Sequence, residues 1–158
     1  MELVKAKESD LDFVRKTYIS VQGTEFCPWN EYYPSETEIS ADMAAKTLFI
    51  LRDGEKRLGA ISAVPENELD AFGCFKVKEN AKEIARICIA PEYQGRGYAA
   101  KMVGLMINKL KEEGAAAVRI SVYVKNVPAE KTYKKLGFDF LMKTELYGAE
   151  YYICEKVL

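Results

Sequence analysis

The spacing of apolar and polar positions divides the chain into short elements of two kinds. Glu2–Ala6 is short and strand-compatible. Leu11, Val14, Tyr18 and Val21 then recur at helical spacing behind Ser9-Asp10-Leu11-Asp12, which resembles a capping box, and Gly23 ends that helix. The aromatic stretch Thr24–Pro34 carries two prolines and reads as loop. A second capping box, Ser35-Glu36-Thr37-Glu38, opens a short helix to about Lys46. Thr47–Arg52 is β-branched and apolar, Asp53-Gly54 signals a turn, and Arg57–Val64 reads as the hairpin partner. Pro65–Asn80 has no clear period and reads as a loop with a short helix or strand. Glu83–Ile89 is a strand that stops at Pro91.

The rest of the chain continues the alternation. Val103, Met106, Ile107 and Leu110 form a helical stripe ending near Gly114, and Ala117–Val124 alternates as a strand. Asn126 suits the cap of the next helix, with Pro128 in its first turn and Gly137 at its end. Phe138–Leu146 and Glu150–Val157 pair as a hairpin across Tyr147-Gly148-Ala149. Without repeats or linkers, the pattern is that of one mixed α/β domain over residues 1–158.

Composition narrows the chemistry. The apolar share of 49% and charged share of 30% are those of a soluble globular protein. No apolar run reaches membrane-spanning length, and Met1–Glu8 lacks a signal-peptide core, so a cytoplasmic protein is expected. The chain has no histidine, which excludes Ser-His-Asp and Cys-His catalysis and imidazole-based zinc sites. Proton transfer must then rest on carboxylate, tyrosine, lysine, thiol or water. Cys27, Cys74, Cys88 and Cys154 form no Cys-x-x-Cys pair, so no metal or redox site is expected, and Cys88 reads as a small buried residue.

A net charge of −1 makes no case for nucleic acid or an anionic membrane as a partner. Its distribution is uneven: residues 1–94 hold 12 basic against 17 acidic side chains, and residues 95–158 hold 11 against 7. That asymmetry suits an anionic cofactor on the second part and a cationic co-substrate on the first.

Between a strand and a helix lies Gln94-Gly95-Arg96-Gly97-Tyr98-Ala99. Glycines let successive amides converge on an anion, and the helix N-terminus adds its dipole. A plain turn would explain one glycine better than two flanking an arginine. Gly95-x-Gly97-x-x-Ala100 also meets the dinucleotide fingerprint, which calls for a ribose-binding carboxylate at the end of the next strand. Lys125-Asn126 stand there instead, Glu112 and Glu113 end the intervening helix, and the motif comes too late for a doubly wound sheet. The dinucleotide reading fails on context.

The alternative pattern Gln/Arg-x-x-Gly-x-Gly/Ala is met by Gln94, Gly97 and Ala99. The strand Ile87–Pro91 before it and the segment Asn126–Phe138, with its Asn-x-x-Ala-x-x-x-Tyr-x-x-x-Gly-Phe spacing, complete the set. The sequence thus resembles the GCN5-related N-acetyltransferase (GNAT) superfamily over about residues 83–140, and more loosely in its N-terminal strand–helix–helix–hairpin order. The resemblance implies an α/β fold: a central mixed, mostly antiparallel twisted sheet of about seven strands flanked by about four helices. Acceptor-side helices and loop would lie in about 8–46.

The same resemblance implies acetyl transfer from acetyl-CoA to a primary amine of a small molecule or peptide, by direct attack in a ternary complex. The CoA pyrophosphate would lie on the amides of Gln94, Gly95, Arg96, Gly97, Tyr98 and Ala99, with added charge from Arg96 and Lys101. Pantetheine would pair with the strand edge at Ile87, Cys88 and Ile89, where the Ile87 N–H would also polarise the thioester carbonyl. Asn126 stands at a cofactor-bonding position, though it suits a helix cap equally well. Tyr133 would protonate the departing thiolate, since a phenol with a pKa of about 10 keeps its proton; a core aromatic is the plainer use. Glu83, eleven residues before Gln94, resembles the family's catalytic glutamate, with a water chain as the other way to remove the amine proton.

The acceptor is less defined. Tyr18–Ala45 holds Glu25, Glu31, Glu36, Glu38 and Asp42 without lysine or arginine, beside Phe26, Trp29, Tyr32 and Tyr33. Acidic and aromatic lining suits a cationic amine. Trp29 and Tyr32 are the expected contacts, while the helix acids read as a solvated face. A non-catalytic acyl-CoA sensor is the competing function, against which Tyr133 argues. A homodimer through the C-terminal hairpin stays open.

Overall fold

Two tight reversals set the strand order. Gly54 turns the first hairpin at a positive φ of 58°, and Tyr147 and Gly148 turn the last at 51° and 79°. Two successive left-handed residues match the right-handed twist of the strands they join. Ala149 already pairs with Leu146, so the second turn is one residue shorter than the sequence suggests.

The computed structural model describes residues 1–64 and 68–158. The strands are β1 (Glu2–Lys5), β2 (Leu48–Asp53), β3 (Lys56–Val64), β4 (Ala81–Ile89), β5 (Ala117–Tyr123), β6 (Asp139–Leu146) and β7 (Ala149–Val157). They form one open sheet in the order β1-β2-β3-β4-β5-β7-β6, antiparallel except where β4 meets β5. The helices are α1 (Leu11–Val21), α2 (Glu36–Ala45), α3 (Tyr98–Glu112) and α4 (Val127–Lys135). This is the mixed, mostly antiparallel seven-stranded architecture that the sequence led us to expect.

β2 is apolar from Leu48 to Leu51 because both of its faces are covered there. Phe49 and Leu51 join the core under α3, with Met102, Val103, Met106 and Leu110. Leu48 and Ile50 alternate onto the opposite face, with Val14 and Tyr18 of α1 and Ile39 of α2. α1 and α2 therefore cover one face of the sheet and α3 the other.

One capping box is present as read. The Ser35 N–H donates to the Glu38 carboxylate at 2.6 Å, and the Thr37 N–H donates to Ser35 Oγ at 3.3 Å. The other starts at Lys7, two residues before Ser9, and only its Asp10 half is formed. Asp10 is fully buried, accepts the Lys7 N–H at 2.9 Å and pairs with Arg52 and Arg57, while a 3-10 turn over Glu8–Asp10 leads into α1.

Of the segment Pro65–Asn80, residues 65–67 lie outside the described residues, and Glu68–Phe72 is a 3-10 turn. The remainder is held to the sheet by side chains. The Arg119 guanidinium lies 3.8 Å from the Phe75 ring, donates to the Val77 carbonyl at 2.6 Å and bonds Asp70. Glu155 accepts the Lys76 N–H at 2.9 Å.

Candidate active site

The sheet opens where β4 and β5 part. Their parallel pairing covers only Ala81↔Ala117, Lys82↔Val118 and Glu83↔Arg119. On its other edge β4 carries a bulge: the register jumps from Ser62↔Ala85 to Ala60↔Cys88, and Arg86 takes a left-handed φ of 51°. Beyond it, Ile84–Ile89 and Ile120–Tyr123 line a cleft of about 580 Å³. Backbone polar groups on that side of β4 face the cleft without a strand to pair with. β3 presses closely behind. A Cβ on Gly59 would sit 2.6 Å from the Cys88 carbonyl oxygen, so glycine alone fits there.

The glycine loop closes one end of the cleft. Gln94 Nε2 donates to the Ile89 carbonyl at 2.9 Å and ties the loop to the end of β4. Gly95 and Gly97 have φ of 73° and 81°, values that favour glycine. Gly97 is the N-cap of α3, and the Lys101 N–H reaches its carbonyl at 3.1 Å. The amides of Tyr98, Ala99 and Ala100 are thus the free N-terminal donors of a 15-residue helix, and these residues line the cleft. Arg96 and Lys101 are exposed and do not line it.

Ile87, Cys88, Ile89, Asn126 and Tyr133 line the cleft as well. Asn126 also caps α4, its Oδ1 accepting the Ala129 N–H at 3.1 Å. Tyr133 is only 6% exposed, packs edge-on to Phe138 at 5.8 Å and belongs to the core, so it serves as core aromatic and cleft wall together. Burial raises its phenol above the ordinary value and keeps it protonated. Burial likewise pushes the Cys88 thiol up to about 12, in keeping with a small buried residue.

A second cavity, of about 390 Å³, meets the cleft at Tyr33, Ala85, Arg86, Ser121 and Tyr147. Its lining includes the carboxylates of Glu38, Asp42, Glu68 and Glu83. Glu83 is 9% exposed, and its Oε2 has no hydrogen-bond partner. Burial raises its pKa from 4.5 to about 7, opposed by the Leu69 N–H and Arg86 and assisted by Glu68. Arg86 grips Asp42 with two bonds of 2.8 and 2.7 Å and donates to Tyr33 Oη at 3.1 Å, while Ser62 Oγ donates to Asp42 at 2.6 Å. Tyr147 stacks on Tyr33 at 6.2 Å, and its hydroxyl donates to Glu68 at 2.6 Å.

The aromatic loop is divided between the two cavities. Trp29 lines the larger cleft and packs edge-on to Tyr18 at 5.4 Å and Tyr33 at 6.5 Å. Tyr32 is 78% exposed and lines neither cavity, whereas its neighbour Tyr33 lines both. Of the acids in Tyr18–Ala45, Glu38 and Asp42 face the second cavity, and Glu36 pairs with Arg15. Arg86, Glu68 and Tyr147 had not been singled out from sequence. Arg86 does interrupt an apolar strand, Ile84-Ala85-Arg86-Ile87, which is a usable signal. Its partner Asp42 lies 44 residues away and leaves no local trace. Among the described residues no cluster suits a metal ion, and no helix is long and apolar enough to cross a membrane.

The parting strands, with a glycine loop capping the next helix, are accompanied by a sequence match to the acetyltransferase (GNAT) family over residues 14–138. The chain belongs to that family. It is 27% identical over 117 residues to the [ribosomal protein bS18]-alanine N-acetyltransferase of Haemophilus influenzae, covering 73% of this chain and 77% of that enzyme. The Haemophilus ducreyi counterpart is 24% identical over 95 residues, 60% of this chain and 65% of that enzyme. A mycothiol acetyltransferase of Corynebacterium jeikeium is 32% identical over 69 residues, 44% of this chain but only 20% of that protein. Among solved structures, a GNAT-family acetyltransferase from Streptococcus agalactiae superposes with a TM-score of 0.81 at 17% identity, covering 99% of this chain and 95% of that one. A putative acetyltransferase from Salmonella typhimurium, solved with acetyl-CoA, gives 0.74 at 14% identity, with 99% and 93% covered. At such identities the structural likeness is one of fold.

Proposed function

We propose that this GNAT-family chain transfers the acetyl group of acetyl-CoA to a primary amine of a small molecule or peptide, by direct attack in a ternary complex. The observation that carries this reading is the meeting of two cavities at the β4 bulge. One holds the glycine loop, the open strand edge and Tyr133; the other holds the unpartnered carboxylate oxygen of Glu83.

The pyrophosphate would rest on the amides of the Gln94–Ala99 loop, and the pantetheine arm would pair with free backbone groups of β4 near Ile87. An amine arriving as ammonium gives one proton to Glu83, whose pKa, raised by burial to about 7, suits it to take a proton near neutral pH. The nitrogen lone pair then forms the C–N bond at the thioester carbonyl, whose oxygen takes the negative charge beside the Ile87 N–H. Collapse breaks the C–S bond and the sulfur takes the Tyr133 proton; the nitrogen's extra proton passes through water to the resulting phenolate as the amide forms, and Glu83 returns its proton to solvent. Alignment of amine and thioester at the junction supplies the remaining acceleration.

The test is thiol release from acetyl-CoA across a panel of amines. Binding of acetyl-CoA without thiol release for any amine would leave the non-catalytic sensor as the better description.

A further inference from the structure

We propose that the acceptor is a small dicationic amine: a primary amine joined by a short methylene chain to a second ammonium. Glu38 and Glu68 hold the second charge while Glu83 serves the reacting nitrogen. The inference rests on the transferase reading and specifies its acceptor.

The charge balance of the smaller cavity leads to it. Among the described residues, four carboxylates line it, from Glu38, Asp42, Glu68 and Glu83, against the single cation of Arg86. Arg86 is committed already, its Nε and Nη2 bonded to Asp42 and its Nη1 to Tyr33. Glu38 and Glu68 form no ion pair among the described residues. Their partners are neutral donors: the Ser35 N–H and hydroxyl at 2.6 and 2.8 Å, and the Tyr147 hydroxyl at 2.6 Å. Each carboxylate has acceptor capacity to spare.

The reacting ammonium does not offset these charges. Its proton goes to Glu83, so nitrogen and Glu83 neutralise each other, and Glu38 and Glu68 remain uncompensated. An independent feature marks the cavity as a ligand site. Glu83 Oε2 is buried in its wall with no donor, an uncommon situation in native interiors that a ligand's N–H would relieve. The stacked faces of Tyr33 and Tyr147 at the junction suit an alkyl chain and a cation alike. A carboxylate in place of the second ammonium would meet like charge at Glu38 and Glu68.

The decisive panel holds chain length fixed and varies the distal group: n-butylamine, 1,4-diaminobutane and 4-aminobutanoate, with Ala-Lys and Ala-Ala peptides beside them. Thiol release from acetyl-CoA should give a kcat/KM for diaminobutane about tenfold above butylamine, and 4-aminobutanoate should be the poorest. Glu38→Gln and Glu68→Gln keep a hydrogen-bond acceptor for Ser35 and Tyr147, so the fold is retained. Each should collapse the diaminobutane-to-butylamine ratio toward one, acting through KM. Equal use of butylamine and diaminobutane, preference for 4-aminobutanoate, use of the Ala-Lys peptide alone, or an unchanged ratio in both variants would overturn the proposal. Each of those outcomes leaves the transferase reading intact, whereas absence of thiol release with every amine would sink that reading itself.

Discussion

The larger cleft takes its strand edge, glycine loop and helix start from one continuous stretch, Ile84–Ala100, which faces β5 and α4 across the gap. The smaller cavity is assembled from single side chains on α2, β4, the Glu68–Phe72 turn and the β6–β7 tip. The first presents the backbone edge of β4 and the amides of the glycine loop between apolar and aromatic walls, the second four carboxylates and two tyrosines. A backbone site accepts any ligand with the matching polar skeleton, so it suits a donor shared by many enzymes. A side-chain site is redrawn by a few substitutions, so it suits an acceptor that differs from one family member to the next.

The comparison predicts that damage on one side should leave the other intact. The largest effect is expected from Arg86→Ala. It strands Asp42, 3% exposed, as a buried unpaired anion, at a cost of about 3–5 kcal/mol in chemical denaturation. Removing both charges together, as Arg86→Leu with Asp42→Leu, should cost less than Arg86→Ala alone. Equal losses would show that the pair is not what holds α2 against the bulge.

Tyr133→Phe should lower kcat by about 10²–10³-fold, the scale of a lost general acid, while acetyl-CoA affinity in calorimetry changes little. A parallel loss of affinity would recast Tyr133 as a packing residue of the donor cleft.

Glu83→Gln should lower turnover about 10²-fold and flatten the pH profile. In the parent chain kcat/KM should rise with pH through about 7, as Glu83 loses its proton. Stability runs the opposite way. Between pH 4.5 and about 7 the folded chain holds a proton that the unfolded chain has released, so this group makes stability fall as pH rises through that window. Above pH 7 the Gln variant should therefore be more stable than the parent, by on the order of 1–3 kcal/mol. A variant both slower and less stable would contradict the buried, unpartnered carboxylate.

The smallest effect belongs to Gly97→Ala. Its Cβ would meet no atom within 4 Å, so only the left-handed backbone resists, at about 1–2 kcal/mol. Its signature should be a raised KM for acetyl-CoA with the ranking of amines unchanged.

The larger cleft was legible in the chain because its parts are local. The loop Gln94–Ala99 and its neighbouring strand and helix are consecutive, and their chemistry depends on glycine dihedrals and helix ends. Asn126 and Tyr133 were equally readable through their fixed spacing in one segment. The capping box at Ser35 was legible for the same reason, while the one at Ser9 was not. Asp10 answers to Arg52 and Arg57, which are distant in the chain, and that buried pairing outweighs the local pattern.

The acceptor half was illegible in proportion to its reach. Arg86 meets Asp42 and Tyr33, Tyr147 meets Glu68, and Glu83 owes its shifted proton affinity to burial beside the Glu68–Phe72 turn. Tyr32 and Tyr33 are adjacent and chemically identical, and only folding turns one to solvent and the other to the junction. By itself the sequence determined the class of fold and the glycine loop between strand and helix, and it nominated Tyr133 and Glu83, because dihedral preference and residue spacing are written along the chain. Which carboxylates stand together, and which of them lack a counter-charge, was decided by tertiary structure alone, since charge balance is a property of neighbours in space.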